Sequence, residues 1–267
     1  MYLQTGTVAT YYEVSGTGSE VVFIHGHALD ARQWEPQWEP FCRRHRCLRY
    51  DLRGHGRSSA PPGRYGLDRY ADELRALLDG AGFRQPAVIG LSFGALVAME
   101  LALTAPQRVG GLVLVDAALE GFPYSEEYRS AWRRLRQEAG VKGVGQALER
   151  AWFGSALFHP LRSRPERFEK IRQMAQGYSG AEYKGSQARR EPAATVLHRL
   201  DQIRHPTLVV IGEQDSPDFQ NIASLLVDKI SGARKLVIPK AGHLSCFENP
   251  AAFNPPVLEF LAALPPR

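Results

Sequence analysis

A chain of 267 residues, 44% of them hydrophobic, is long enough for one large α/β domain with a sizeable core, or for one domain carrying an insertion. Its longest apolar stretches are strand-sized and broken by Gly, Pro or charge, so no membrane span is expected, and the N-terminus lacks the basic-then-apolar order of a signal peptide, which favours the cytoplasm. The formal net charge of +5 is unevenly placed: residues 121–200 hold 15 Lys and Arg against 8 Asp and Glu, and the remainder holds 18 against 20. No nucleic-acid motif accompanies the basic segment, so solvated faces of exposed helices are expected there, and no nucleic-acid or membrane partner.

Val8 to Val14 has the β-branched and aromatic content of a strand, and Ser15-Gly16-Thr17-Gly18 turns it toward a second, Val21 to Ile24. That second strand is apolar throughout, as a strand covered on both faces is, and it ends in His25-Gly26-His27. Trp34 to Phe41 reads as a helix or helical loop interrupted by Pro36 and Pro40. The strand Arg46 to Tyr50 and the segment Asp51-Leu52-Arg53-Gly54-His55-Gly56-Arg57-Ser58 follow. Cys42 and Cys47 are five apart on an expected helix or its end, poor geometry for a local disulfide, and with His45 between them they lack the second cluster that a metal site needs. From Leu67 to Leu78 the apolar positions Leu67, Tyr70, Leu74, Leu77 and Leu78 recur at helical spacing.

The run Ala87-Val88-Ile89 reads as a buried strand and Ala95 to Leu103 as a helix, with Gly90-Leu91-Ser92-Phe93-Gly94 between them. Strand, sharp turn and helix are the context in which a G-x-S-x-G pentapeptide presents a nucleophile. Side chains in place of the glycines would collide with the neighbouring strand and helix, and the turn leaves Ser92 at its tip. Gly111 to Val115 is another apolar strand, ending in Asp116. From Gly121 to about Asp201 the alternation stops: helical stretches such as Glu126 to Glu138 and Arg164 to Gln176 appear without a convincing strand. Alternation resumes with the strand Thr207 to Gly212, the helix Asn221 to Ile230, the strand Lys235 to Ile238 and a closing helix from Val257 to Leu264, for which Asn254 and Pro255 provide a cap and first turn. The pattern predicts a doubly wound, mostly parallel α/β sheet with its ligand site at the carboxyl ends of the strands.

A serine hydroxyl needs a base within hydrogen-bond reach and an acid to orient that base. His243 follows one strand in Ala241-Gly242-His243, and Asp215 follows another; Asp116, also at a strand end, is the rival acid. With His25-Gly26, the Tyr50 to Ser58 run, the elbow, Gly212-Glu213-Gln214-Asp215, Ala241-Gly242-His243 and Phe253-Asn254 in this order, the chain resembles α/β-hydrolases of the esterase and lactonase type, most of all 3-oxoadipate enol-lactonase-like members.

The resemblance implies an α/β-hydrolase core over residues 1–120 and 201–267, with a helical lid over 121–200. It implies Ser92 as nucleophile, His243 as base and Asp215 as acid, with the backbone N–H groups of His27 and Phe93 as the oxyanion hole. It implies a small-molecule ester or lactone as substrate, and no metal or organic cofactor. Carbon–carbon bond hydrolysis, acyl transfer and perhydrolysis remain open on the same triad, as does a receptor that only binds its ligand. Ala95 stands where many relatives have a second glycine. The imidazole of His27, if it faces the pocket, is placed to polarise a carbonyl or bind a carboxylate. His25, His55, Asp51 and Arg53 read as loop scaffold. Phe122, Tyr124, Trp132, Trp152, Phe153 and Phe158 have two uses open to them, lining a pocket or packing the lid.

Overall fold

The computed structural model describes residues 1–183 and 195–265. The runs read as buried strands form the middle of one eight-stranded sheet: β3 (Glu20–Ile24), β5 (Ala87–Leu91), β6 (Gly111–Val115) and β7 (Thr207–Gly212), with nearly every residue buried. Around them lie β1 (Tyr2–Thr5), β2 (Val8–Ser15), β4 (Arg46–Tyr50) and β8 (Arg234–Ile238), in the order β1-β2-β4-β3-β5-β6-β7-β8. The β1–β2 and β2–β4 pairs are antiparallel and the other five parallel. β1 has no counterpart in the sequence reading: a four-residue edge strand takes its conformation from pairing with β2 across a turn at Gly6 rather than from an apolar pattern of its own. β8, at the opposite edge, exposes Arg234 and Lys235, charges that discourage further strand pairing.

Helices α1 (Glu35–Cys42), α2 (Leu67–Gly80) and α3 (Phe93–Thr104) fill the crossovers of the first half. α2 buries Tyr70, Leu74, Leu77 and Leu78, the stripe read from spacing, while α3 is buried on nearly all sides, as a helix at the centre of the fold must be. The departure from strand and helix alternation becomes a helical insertion of α4 (Glu126–Lys142), α5 (Val144–Ala147), α6 (His159–Arg162) and α7 (Pro165–Ala175); among the described residues from 121 to 200 there is no strand. Part of the expected lid, residues 184–194, lies outside the described residues. The chain returns to the sheet through α8 (Pro217–Lys229), α9 (Ser245–Glu248) and α10 (Pro250–Ala262).

The start of α10 corrects the sequence reading. Asn249, not Asn254, is the cap, its Oδ1 accepting the Ala252 N–H, and Pro250 occupies the first turn. Asn254 lies inside the helix and is used sideways: it accepts from Gln37 Nε2 and donates to the Pro36 carbonyl, joining α10 to α1. Cys42 and Cys47 are free thiols, and Cys47 Sγ donates to the His45 carbonyl at 3.7 Å, while His45 Nδ1 bonds the Ser19 hydroxyl at 2.7 Å.

Candidate active site

Parallel pairing puts the ends of β3, β5, β6, β7 and β8 side by side, with Ile24 opposite Gly90, Val115 opposite Val210 and Gly212 opposite Ile238. The loops that leave this edge carry His27, Ser92, Asp116, Asp215 and His243. Among the described residues the non-glycine positions with positive φ are Ala28, Ser92, Asp116 and Lys240, all on those loops. Such conformations cost on the order of 1–3 kcal/mol each and persist where the surrounding structure enforces them.

The elbow shows how it is enforced. Ser92 sits at φ 51° and ψ −109°, its N–H held by the Val115 carbonyl at 2.8 Å and its own carbonyl accepting from Ala118 at 3.2 Å. A Cβ on Gly90 would lie 2.4 Å from Gly94 backbone, and one on Gly94 would lie 2.3 Å from the Ile24 carbonyl oxygen. Both glycines are therefore required by close approach, one to the helix and one to the next strand. Ala95, fully buried, is tolerated beside them.

Ser92 Oγ lies 3.0 Å from His243 Nε2, and His243 Nδ1 lies 2.9 Å from Asp215 Oδ2. Asp215 Oδ1 accepts the Ser216 N–H at 2.7 Å, and Phe219 covers the imidazole at 4.1 Å between ring centroids. Asp116 does not touch the histidine ring: its two oxygens accept the N–H groups of Gly212 and Ser245, both at 2.9 Å. Burial, with the charge of Asp215 adding to it, pushes the Asp116 carboxyl well above its ordinary range, while the two peptide donors pull the other way. Asp116 thus ties the acid loop to the histidine loop.

The N–H groups of His27 and Phe93 donate to no protein acceptor among the described residues. The loop bearing His27 is fixed by Gln33 Oε1, which accepts the Gly26 N–H at 2.8 Å, and by His25 Nε2, which accepts the Leu52 N–H at 3.0 Å. Asp51 accepts from Ala31 and Arg57, and Arg53 donates to the Arg64 carbonyl, so these residues hold the loop between Tyr50 and Ser58 in shape. Burial lowers the affinity of His25, His27 and His55 for protons.

The His27 side chain is buried beneath the insertion rather than open to bind a carboxylate. Its Nε2 is 2.8 Å from the Tyr183 hydroxyl and its Nδ1 is 3.7 Å from a Glu182 oxygen, so a negative group already occupies that side. Trp132, Trp152 and Tyr178 surround the ring, with centroids 4.8, 5.9 and 5.0 Å away. The aromatic residues of the insertion divide accordingly. Trp132 and Trp152 face the His27 side of the site, whereas Phe153 and Phe158 pack on each other and Phe122 packs on Tyr124. Tyr178, Glu182 and Tyr183 were not singled out from sequence, because the spacing of a loop does not say which residue it sets against a histidine more than 150 positions away.

The alpha/beta hydrolase fold family matches residues 21–250. The chain belongs to that family. Its relatives include 3-oxoadipate enol-lactonase 2 of Acinetobacter baylyi, 30% identical over 251 residues and covering 92% of this chain and 91% of that one. A protein of Azorhizobium caulinodans that bears the name of a carbamate hydrolase is 28% identical over 265 residues, 97% of each chain. Among solved structures, a thermophilic esterase from Thermogutta terrifontis superposes with a TM-score of 0.83 at 29% identity, covering 98% of this chain and 96% of that one. No helix of the described residues is long and apolar enough to cross a membrane.

Proposed function

We propose that this α/β hydrolase cleaves a carboxylic ester or lactone through an acyl-enzyme on Ser92. The observation that carries the reading is the unbroken contact from Ser92 Oγ through the His243 imidazole to Asp215, mounted on a strained elbow. In this reading His243 takes the serine proton as Oγ attacks the carbonyl, and Asp215 keeps the proton on Nδ1 so that Nε2 is the base. The N–H groups of Phe93 and His27 receive the oxyanion, where losing one donor of this kind typically costs roughly 3–4 kcal/mol. His243 then protonates the leaving alcohol and activates the water that releases the acyl group. The scheme draws on no metal or organic cofactor. Residues 121–200 serve as a lid over a core of residues 1–120 and 201–267, with Trp132 and Trp152 bounding the substrate. The names of the lactonase and esterase relatives support ester or lactone chemistry; diketone hydrolysis, acyl transfer and perhydrolysis use the same three side chains.

The test is turnover on a panel of short-chain nitrophenyl esters, simple lactones and diketones, with a serine-reactive phosphonate to label the nucleophile. Many turnovers by the wild type, a single adduct on Ser92 and loss of both in Ser92→Ala support the reading. If wild type and Ser92→Ala are equally inert across the panel, the hydrolase reading fails and a ligand receptor built on the same fold takes its place.

A further inference from the structure

The loop that carries His243 is gripped twice, once from within the core and once by the insertion. Glu248, the last residue of α9, folds back so that Oε2 accepts the Gly242 N–H at 3.1 Å and Oε1 accepts the Leu244 N–H at 3.2 Å. These two donors belong to the residues on either side of His243. The Glu248 side chain has no exposed surface, and the positive charge beside it comes from Arg164, whose Nη1 lies 3.5 Å from Oε2.

Arg164 stands at the start of α7 in the insertion and makes further contacts with the same loop. It donates to the Glu248 carbonyl at 2.7 Å and to the Lys240 carbonyl, and Arg167, one turn along, donates to the Phe247 carbonyl. Pro160 of α6 packs so closely that a Cβ on Gly242 would lie 2.8 Å from its ring. The insertion therefore meets the loop at the residue before the imidazole and at both ends of the bend.

We propose that Glu248 is a positioning residue for His243, and that Arg164 makes this positioning depend on the insertion being docked. The inference rests on the serine-hydrolase reading above. The Leu244 N–H lies in the peptide unit that follows His243 and the Gly242 N–H in the unit one residue before it, so tying both to one carboxylate clamps the bend on each side of His243 and, with it, the direction in which its side chain leaves the backbone. A carboxylate stripped of water is held as an anion only while it keeps its donors and a counter-charge. Burial already raises the proton affinity of Glu248, opposed by the two N–H bonds and by Arg164. Withdrawal of Arg164 with a lifted insertion favours the protonated acid, which gives up an acceptor and frees one flanking N–H. His243 then loses its fixed aim at Ser92 until the insertion returns.

The experiment compares kcat/KM for an aryl and an alkyl ester of the same acyl group, one that the panel above finds turned over, using the full chain. An aryl oxide leaves without a proton, whereas an alkoxide needs one from His243, so misplacement of the imidazole penalises the alkyl ester more. Glu248→Gln and Arg164→Met are expected to lose roughly 10-fold on the aryl ester and roughly 100-fold on the alkyl ester, within the range of general acid–base contributions. Arg164→Lys is expected to recover part of the loss. Equal factors on both esters, which is what a smaller folded fraction produces, overturn the proposal, as do wild-type values on both. A selective loss in Glu248→Gln with Arg164→Met at wild type overturns the dependence on the insertion. Should Glu248→Gln fail to fold, Arg164→Met carries the comparison, because its side chain is partly exposed. Ser92→Ala runs alongside: if it retains turnover, the triad reading falls and this inference with it, whereas an inert Ser92→Ala beside unselective variants overturns the positioning alone.

Discussion

At the carboxyl edge of the sheet, the residues of the site are placed by backbone; on the facing side, the insertion is placed by side chains. Ser92 is fixed by strand pairing, a forced φ and two glycines that admit no Cβ. The insertion is held by separate polar contacts: Asp218 accepting from Ser125, Arg199 reaching Glu100, Arg164 and Arg167 on the histidine loop, and Tyr183 on His27. The difference explains the uneven charge of the chain. Several of the insertion's arginines are not a solvated coat but the means by which it grips the core, whereas Arg129, Arg133 and Arg172 pair with Glu126, Glu149 and Glu169 on exposed surface. Backbone-built geometry tolerates few substitutions, and side-chain-built docking can be released one contact at a time.

Asp215→Asn is expected to lower kcat by roughly 10⁴-fold with little loss of stability, since the wrong imidazole tautomer results. Asp116→Asn is expected to lower melting temperature more than kcat, because its oxygens hold two loops together and do not contact the ring. An equal kcat loss from Asp116→Asn assigns the acid wrongly. Gly94→Ala tests the backbone side directly. A methyl 2.3 Å from the Ile24 carbonyl oxygen is expected to cost about 3 kcal/mol by denaturant unfolding despite the better helix propensity of alanine, and a neutral result removes the close-approach account.

Glu73, on α2, is a largely buried carboxyl of the core. Burial raises its carboxyl to about 7, with Arg53, 3.4 Å away, opposing the rise. A carboxyl raised in the folded state contributes stability at low pH that is lost as pH climbs from the ordinary value of 4.5 through about 7. The stability of Glu73→Gln relative to wild type is therefore expected to improve by about 1–3 kcal/mol between pH 5 and pH 8, a pH-independent difference being the contrary result. The smallest effect belongs to the insertion's outer face. Arg133→Ala, which removes an exposed partner of Glu126, is expected to change stability by less than about 0.5 kcal/mol and leave kcat unaltered.

Much of this molecule is legible along the chain because it rests on local rules. Apolar runs bounded by turns identify the central strands, the spacing of Tyr70, Leu74, Leu77 and Leu78 gives α2, and glycines two positions either side of Ser92 mark the elbow. The errors come where distant partners decide. The edge strand β1 exists because β2 pairs with it, and Asn254 reads as a cap but bonds across to α1.

The sequence by itself determined the alternation of strand and helix, the interruption by a helical segment, and the set of polar residues that strand ends must present together, since each follows from periodicity and turn chemistry within a few residues. The motif order already pointed to Asp215 as the acid; the tertiary structure added that Asp116 spends both oxygens on backbone N–H groups, which way the His27 ring faces, and that Glu248 and Arg164 close on the loop between them. Those choices are differences of a few ångströms between residues up to 156 positions apart, set by how the loops and the insertion pack on the finished sheet.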